Sequence, residues 1–311
     1  MAGLNGGLAA NVVKTALDKV LVAEFDYLDT PDIATAMNPG VFKQQTTDRS
    51  AVVTEQFMGT GYFQNRSELQ DVPQSQVRVG NQKTSTVLNW AQSLDISKNL
   101  FDDDQHSVVA SAITNMGRNA RVTRDKEAFA MYNNGFTTQL TNDGVALFSN
   151  SHVTLLGDTV DNLETGAFSA ANLEAAWVSL LQQKTQDGTL GGHNMNVLLV
   201  PPVLFPDAQE VTGSELQPGT AQNNLNWVSK IYPGLMVKQS PFLSAGYGGS
   251  NTAWFLMSRN HFITRFERQG LQTSMIDWQY QRNNNYVYKA EYREVYDTLS
   301  YEGSLGSNGT V

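Results

Sequence analysis

No cysteine occurs anywhere in the 311-residue chain. That excludes disulfides, thiolate zinc sites and thiol nucleophiles together, and leaves packing and hydrogen bonds to hold the protein. Charge is also scarce. Only 16% of residues are charged, against about 25% in an ordinary soluble domain. Surfaces that meet over a large area are depleted in charge at their centres, so the shortage fits a chain that associates. Basic residues are the scarcer sign, 21 against 30 acidic, for a formal net charge of −9. Gripping nucleic acid by its phosphates needs clustered Lys and Arg. The balance argues against gripping, though not against enclosing.

Long apolar runs are missing too. No window reaches the roughly 18 consecutive apolar residues of a membrane span. Met1–Ala10 is glycine-rich without a basic segment, so no secretory signal is expected and the cytoplasm is the expected place of synthesis. There is no G-x-x-x-x-G-K loop, no G-x-G-x-x-G, no G-x-S-x-G elbow and no H-E-x-x-H. The four histidines, His106, His152, His193 and His261, stand singly. Carboxylate pairs such as Glu291 and Glu294 occur, but no apolar pocket can be inferred around them. Asn65-Arg66-Ser67 matches the glycosylation pattern at the level of chance. No catalytic, cofactor-binding or metal-ligating residue is assigned, and neither enzyme activity nor a cofactor is expected.

What is present points to a folded chain with an unusual part. The 41% hydrophobic content lets one compact unit bury roughly three quarters of its unfolded surface. Val13, Leu17, Val20, Leu21 and Leu28 recur at helical spacing, which predicts a helix over Leu8–Leu28 ending before Pro31. It reads equally as an ordinary surface helix or as an arm that packs on another subunit. Residues 48–92 are polar and rich in Gln and Thr. Short alternations at Ala51–Met58, Gln76–Val79 and Thr84–Trp90 predict strands. Gly59–Gln82 has too few large apolar residues for a core, and a two-stranded excursion is marginal alone. It needs something to lie on. Asp102-Asp103-Asp104 places carboxylates where a helix N-terminus favours negative charge. Capping is preferred to a cation site there, because three adjacent side chains point in different directions. A helix of roughly 30 residues is predicted from there to Tyr132, with Asn133-Asn134-Gly135 as its stop.

Further on, Ser169 opens a predicted helix through Leu173, Ala176, Trp177, Leu180 and Leu181, ending near Asp187-Gly188. Val197–Val200 reads as a buried strand. Pro202 starts a short helix through Glu210, and Gly213–Asn224 is a polar loop. Leu235–Val237 and Ala253–Met257 are predicted strands. Six of the 11 tyrosines lie between Tyr280 and Tyr301, where alternation over Tyr286–Arg293 predicts a long strand with tyrosines packing on one face.

The order of these parts resembles that of tailed-phage major capsid proteins of the Hong Kong 97 type. Gln92–Asp104 resembles that family's strand-to-spine junction. Val145-Ala146-Leu147-Phe148-Ser149-Asn150-Ser151-His152 resembles the LFS-x-x-H stretch of Mu-like major head subunits. Asn162-Leu163, Thr165-Gly166-Ala167, Leu173–Ala176, Gln183-Lys184 and Leu198–Pro202 follow in the same order. The resemblance implies an α+β Hong Kong 97-like fold: arm 1–48, extended β-loop 49–94, peripheral domain with spine helix 95–145 and 272–299, and axial domain 146–271 and 300–311. It implies a head shell protein that self-assembles into pentamers and hexamers of an icosahedral virion enclosing double-stranded DNA, without sequence-specific binding and without a membrane. A portal, decoration proteins and a scaffolding protein are the implied partners. Because the arm helix begins close to Met1, a separate scaffold is expected rather than a fused, cleaved one. Some members cross-link subunits through Lys and Asn side chains; the residues around Lys83 do not establish that role. An encapsulin-like nanocompartment, a hydrolase without a recognisable motif and a tail-tube or minor head protein are the competing readings.

Overall fold

The apolar run at residues 195–200 is buried on both faces, so it must lie inside a sheet covered on both sides. The computed structural model places it there, and describes residues 6–27, 31–75, 78–103, 108–216, 225–283 and 285–310. In chain order the elements are α1 (Gly6–Phe25), β1 (Lys43–Thr46), β2 (Ala51–Met58), β3 (Arg78–Thr86), β4 (Leu88–Ser97), α2 (Lys98–Asp102) and α3 (Val108–Asn133). Then follow the two-residue strands β5 (His152–Val153), β6 (Thr159–Val160) and β7 (Leu163–Glu164), with α4 (Ala170–Gln182), β8 (Met195–Val200), α5 (Phe205–Gly213) and α6 (Trp227–Ile231). The chain closes with β9 (Met236–Gln239), β10 (Trp254–Ser258), β11 (Ile263–Ile276), β12 (Asn285–Thr298) and β13 (Ser304–Ser307). No helix among the described residues is long and apolar enough to cross a membrane.

Two sheets organise these elements. One has five strands in the order β7-β13-β10-β8-β9. Successive side chains of a strand point to opposite faces. Leu198, Val200, Trp254 and Leu256 therefore pack with Leu173, Ala176 and Leu180 of α4, Ala208 of α5 and Val228 of α6. Val197, Leu199, Phe255 and Met257 face the other way, onto Phe42 and onto Phe129 and Tyr132 of α3. Rings there meet edge-on, Tyr132 with Phe255 at 5.2 Å and Phe42 with Phe129 at 5.6 Å; such pairs contribute about 0.5–1.5 kcal/mol each beyond area burial. The Tyr132 hydroxyl is not stranded in this core, because it donates to the Val41 carbonyl at 2.8 Å.

The second sheet has four strands in the order β1-β11-β12-β4. Tyr288 and Ala290 of β12 and Ile96 of β4 bury against Leu17 and Leu21 of α1 and Val109, Ile113 and Met116 of α3. The tyrosine alternation is thus a packing pattern. The Tyr288 hydroxyl also donates to Asp18 of α1 at 2.7 Å, and Lys14 pairs with the same carboxylate at 2.6 Å. Glu291 faces solvent, whereas Glu294 is buried against Arg265 at 2.7 Å.

Several boundaries differ from the sequence expectations. α1 ends at Phe25, before Leu28, and Leu28 lies outside the described residues. A short helix lies where the carboxylate run begins, and residues 104–107, where a cap of the long helix would fall, lie outside the described residues. Ser97 caps a separate short helix by accepting from the Leu100 N–H at 3.2 Å; Asp102 ends that helix and the long one starts at Val108. Asp104 and His106 lie outside the described residues. The long helix has 26 residues, about 39 Å at 1.5 Å per residue. The strand expected over Thr84–Trp90 is two strands. Val87 is buried at the corner between them, its N–H bonded to Ser50 O at 2.9 Å. α4 opens on its Ser169 cap but stops at Gln182, and the helix expected from Pro202 runs instead from Phe205 to Gly213. The polar loop at 213–224 lies mostly outside the described residues. β11 was not foreseen. It is paired along its length with β12, and its register slips twice, between Glu267 and Gln272.

α1 lies along α3 at a point that only glycine permits. A Cβ on Gly117 would stand 2.8 Å from the Leu21 carbonyl oxygen and 3.0 Å from Glu24 Cβ. Nearby, buried Arg124 of α3 donates to the Phe25 carbonyl at 3.1 Å and lies 4.1 Å over the Phe25 ring, so α3 supplies the C-terminal cap of α1. Gly117→Ala gains about 1 kcal/mol in helix propensity. Overpacking against the backbone of α1 costs about 1–3 kcal/mol, which offsets or exceeds that gain. We expect a net loss of stability in urea titration, with accelerated proteolysis of α1.

Candidate assembly surface

Residues 47–87 leave the body as an excursion. Its lower part is the β2–β3 hairpin, paired from Ala51 with Thr86 to Met58 with Arg78. Residues 59–75 have neither helix nor strand. The large apolar side chains there and at the adjoining ends of the hairpin are open to solvent: Phe63 and Leu69 are fully exposed, and Tyr62, Val72, Phe57 of β2 and Val79 of β3 mostly so. Singly exposed apolar residues are ordinary, but a group of them on a segment with no core marks a surface meant to be covered. Leu69 adds a second sign. Its φ is +68°, a left-handed conformation that costs a non-glycine residue about 1–2 kcal/mol. The turn is closed by Gln70 N–H to Ser67 O at 3.2 Å and by Arg66 Nε to Gln70 O at 2.5 Å. Asn65, Arg66 and Ser67 all lie on this exposed stretch.

The foot of the excursion is tied to its own chain. Asp297 of β12 is buried and accepts from Lys83 Nζ and Ser85 Oγ of β3, from the Thr298 N–H at 2.8 Å and from Gln139 at 3.4 Å. Lys83 Nζ also reaches the Leu140 carbonyl at 2.6 Å. Thr54 meets Asn142 at 3.4 Å. Higher up, the Gly61 N–H donates to Asp187 at 3.2 Å, and the Tyr62 hydroxyl accepts from the Leu190 N–H at 2.9 Å. The hydroxyls of Thr185 and Thr189, which donate to Asp187, hold its carboxyl down at about 2. The expectation that the whole excursion lies on another copy is therefore modified: the hairpin rests on the chain's own 140–142 and 185–190 segments, and the apolar residues above it remain uncovered.

The 145–152 stretch behind this foot is pinned. Phe148 sits between Gly135 and Gly306, where added Cβ atoms would come within 2.8 and 2.7 Å of its ring. His152 is buried, its Nδ1 2.7 Å from Asp143 and its ring stacked 4.5 Å from that of Tyr301. Burial pushes the Asp143 carboxyl up, but hydrogen bonds from His152 and Thr141 outweigh it and leave it below the ordinary range. His193 and His261 are buried elsewhere. Burial first and Lys43 second lower both, His261 to about 4. Among the described residues no three His, Asp or Glu side chains are grouped to hold a metal.

Two covered sheets, a long helix between them and an anchored excursion with uncovered apolar side chains define a subunit of a protein shell. The family described as phage capsid protein matches residues 81–303, and the chain belongs to that family. Solved structures share its Hong Kong 97-like fold at low identity. The capsid of cyanophage P-SCSP1u is 10% identical, with 91% of this chain and 90% of that one covered and a TM-score of 0.57. The mature capsid of bacteriophage PhiM1 is 13% identical, with 90% and 89% covered and a TM-score of 0.55. A virus-like particle from Pyrococcus furiosus is 9% identical, with 94% and 98% covered and a TM-score of 0.53. No curated protein matches the chain. The protein is a capsid shell component, a structural part of the virion.

Asp297→Ala leaves Lys83 and Ser85 without their shared acceptor. Breaking a largely buried pair from one side costs about 3 kcal/mol. We expect that loss in denaturant titration, together with faster protease cleavage between residues 59 and 75.

Proposed function

We propose that copies of this chain form pentamers and hexamers and close an icosahedral head around double-stranded DNA. The observation that carries this reading is the excursion: a rigid, ion-paired foot presents Phe57, Tyr62, Phe63, Leu69 and Val72 to solvent, with nothing of its own to bury them. A second copy is the natural cover. Burying an apolar side chain of this size contributes about 1.5–3 kcal/mol, so several per subunit, repeated over a closed shell, hold it without disulfides. In this reading residues 1–48 are the arm, 49–94 the extended loop, 95–145 with 272–299 the peripheral domain and 146–271 with 300–311 the axial domain. The net charge of −9 suits a wall that encloses DNA without gripping it. Assembly takes place in the host cytoplasm with a separate scaffolding protein and a portal, and decoration proteins add to the finished head.

Replacing residues 60–75 by a short turn keeps the β2–β3 pairing. The variant is expected to fold, with a circular dichroism spectrum and melting profile like the parent's, and to remain as free subunits or capsomers in size-exclusion chromatography. Electron microscopy of the parent should show isometric, DNA-filled particles. Normal shells from the variant would count against the excursion as the cover-seeking part. Portal-free particles loaded with an enzyme would favour the nanocompartment reading.

A further inference from the structure

A cavity of about 380 Å³ lies where the foot of the excursion meets the body. β2 lines it with Gln56 and Phe57, the 185–189 turn with Gln186 and Asp187, and the body with Phe262 and the 299–302 segment. Its polar lining sets the carboxylates of Glu55, Asp187 and Glu302 among neutral amides and hydroxyls, with no Lys or Arg among the described lining residues. Glu302 is 8% exposed, and among the described residues no Lys or Arg side chain pairs with it. Gln56 is 6% exposed and its amide oxygen receives no hydrogen bond. The Glu302 carboxyl is met by neutral groups only, the Gln186 side-chain amide and backbone N–H and the Ser300 hydroxyl, and that Gln186 amide makes no hydrogen bond of normal geometry. The walls between these groups, Phe57, Phe262 and Leu299, are apolar.

A buried carboxylate without a countercharge and a buried amide oxygen without a donor are each unfavourable. A cation bearing several N–H groups satisfies both at once through charge-assisted hydrogen bonds, and an alkyl stem suits the walls. We propose that this cavity is a binding site for an alkyl-chain cation, its ammonium or guanidinium head held by Glu302 and Gln56 and its stem against Phe57, Phe262 and Leu299. Two sources share that chemistry: a lysine or arginine side chain of a neighbouring copy, and a free small cation. Because Gln56 belongs to the excursion and Glu302 to the body, an occupant holds the two together.

The charged and titratable groups around Glu302 are Asp187 on the turn, Glu55 on β2 and the adjacent Tyr301. Burial, and after it the charge of Asp187, pushes the Glu302 carboxyl up to about 7. A cation favours its ionised form, so binding near neutral pH displaces protons. The raised value also makes a safe variant. The neutral form of Glu302 stabilises the fold below the ordinary carboxylate range, and that contribution is lost as pH rises through about 7. Glu302→Gln mimics the neutral form, so it should melt at or above the parent temperature at pH 8 and close to it at pH 5.

The test uses the full chain in its unassembled form, with agmatine as the probe, in isothermal titration calorimetry at pH 7 in two buffers of different ionisation enthalpy. Expected are saturable binding, proton release, slower proteolysis of residues 59–75 and at least tenfold weaker binding to Glu302→Gln, with 1-butanol inert. Absent binding, or binding unchanged in Glu302→Gln, overturns the proposal whether or not shells form. Repeating the titration on assembled particles separates the sources. Lost binding assigns the site to a neighbour's side chain, and retained binding assigns it to a free cation.

Discussion

A carboxylate taken out of water must be met by donors, and Asp297 shows how much structure that requirement can command. Its donors come from three places: β3 of the excursion, the 139 segment after the long helix and its own strand. Lys83 is 214 residues away from it in sequence. Once they converge, the hairpin has one angle of departure from the body, and the uncovered apolar residues above it have one place in space. A free-swinging loop would lose conformational entropy each time a copy bound it. Fixing the foot removes part of that cost before any partner arrives.

The same division, rigid below and uncovered above, explains the sparse charge. The second sheet keeps its ionic contacts inside. Arg265 bridges Glu294 and Glu267 at 2.7 Å each and holds Gln44 at 3.0 Å, which ties β1 to β11 and β12. These pairs fix register and do little for solubility. The excursion's upper part sets Arg66, Glu68 and Asp71 among many amides and hydroxyls. Neutral polar groups cost less to bury than charges once a partner pairs with them, which suits a surface that a second copy covers in the proposed shell.

The sequence made the covered elements legible wherever a single period ran unbroken. α3, α4, β8 and the tyrosine-bearing β12 all declare themselves by spacing, because each buries one regular face or both. β11 did not, because its register slips around Arg268 and Gly270 interrupt the alternation that marks a strand. The short helix before the carboxylates at 102–104 was not legible for a different reason. Ser97 offered an equally good cap five residues earlier, and local chemistry does not say which turn continues. The core-less character of the excursion could be read from composition, and so could its need for a support. Its attachment could not. Lys83, Asn142, Asp187 and Asp297 meet only through the tertiary fold, and the cavity above them draws its lining from four separate stretches of chain.

Arg124 has a consequence for how the molecule comes apart. Its guanidinium is buried, it donates to the Phe25 carbonyl of the neighbouring helix, and its Nε lies 4.0 Å from the Asp125 carboxylate. Peeling α1 away would remove that acceptor and the ring beneath the charge while leaving the cation inside. A hydrogen bond to a charged group contributes about 1.5–3 kcal/mol, so a species with α1 released and α3 intact is disfavoured by at least that contact. The two helices therefore open and close as one cooperative unit, and force applied at the N-terminal end of the chain is felt at the centre of the body.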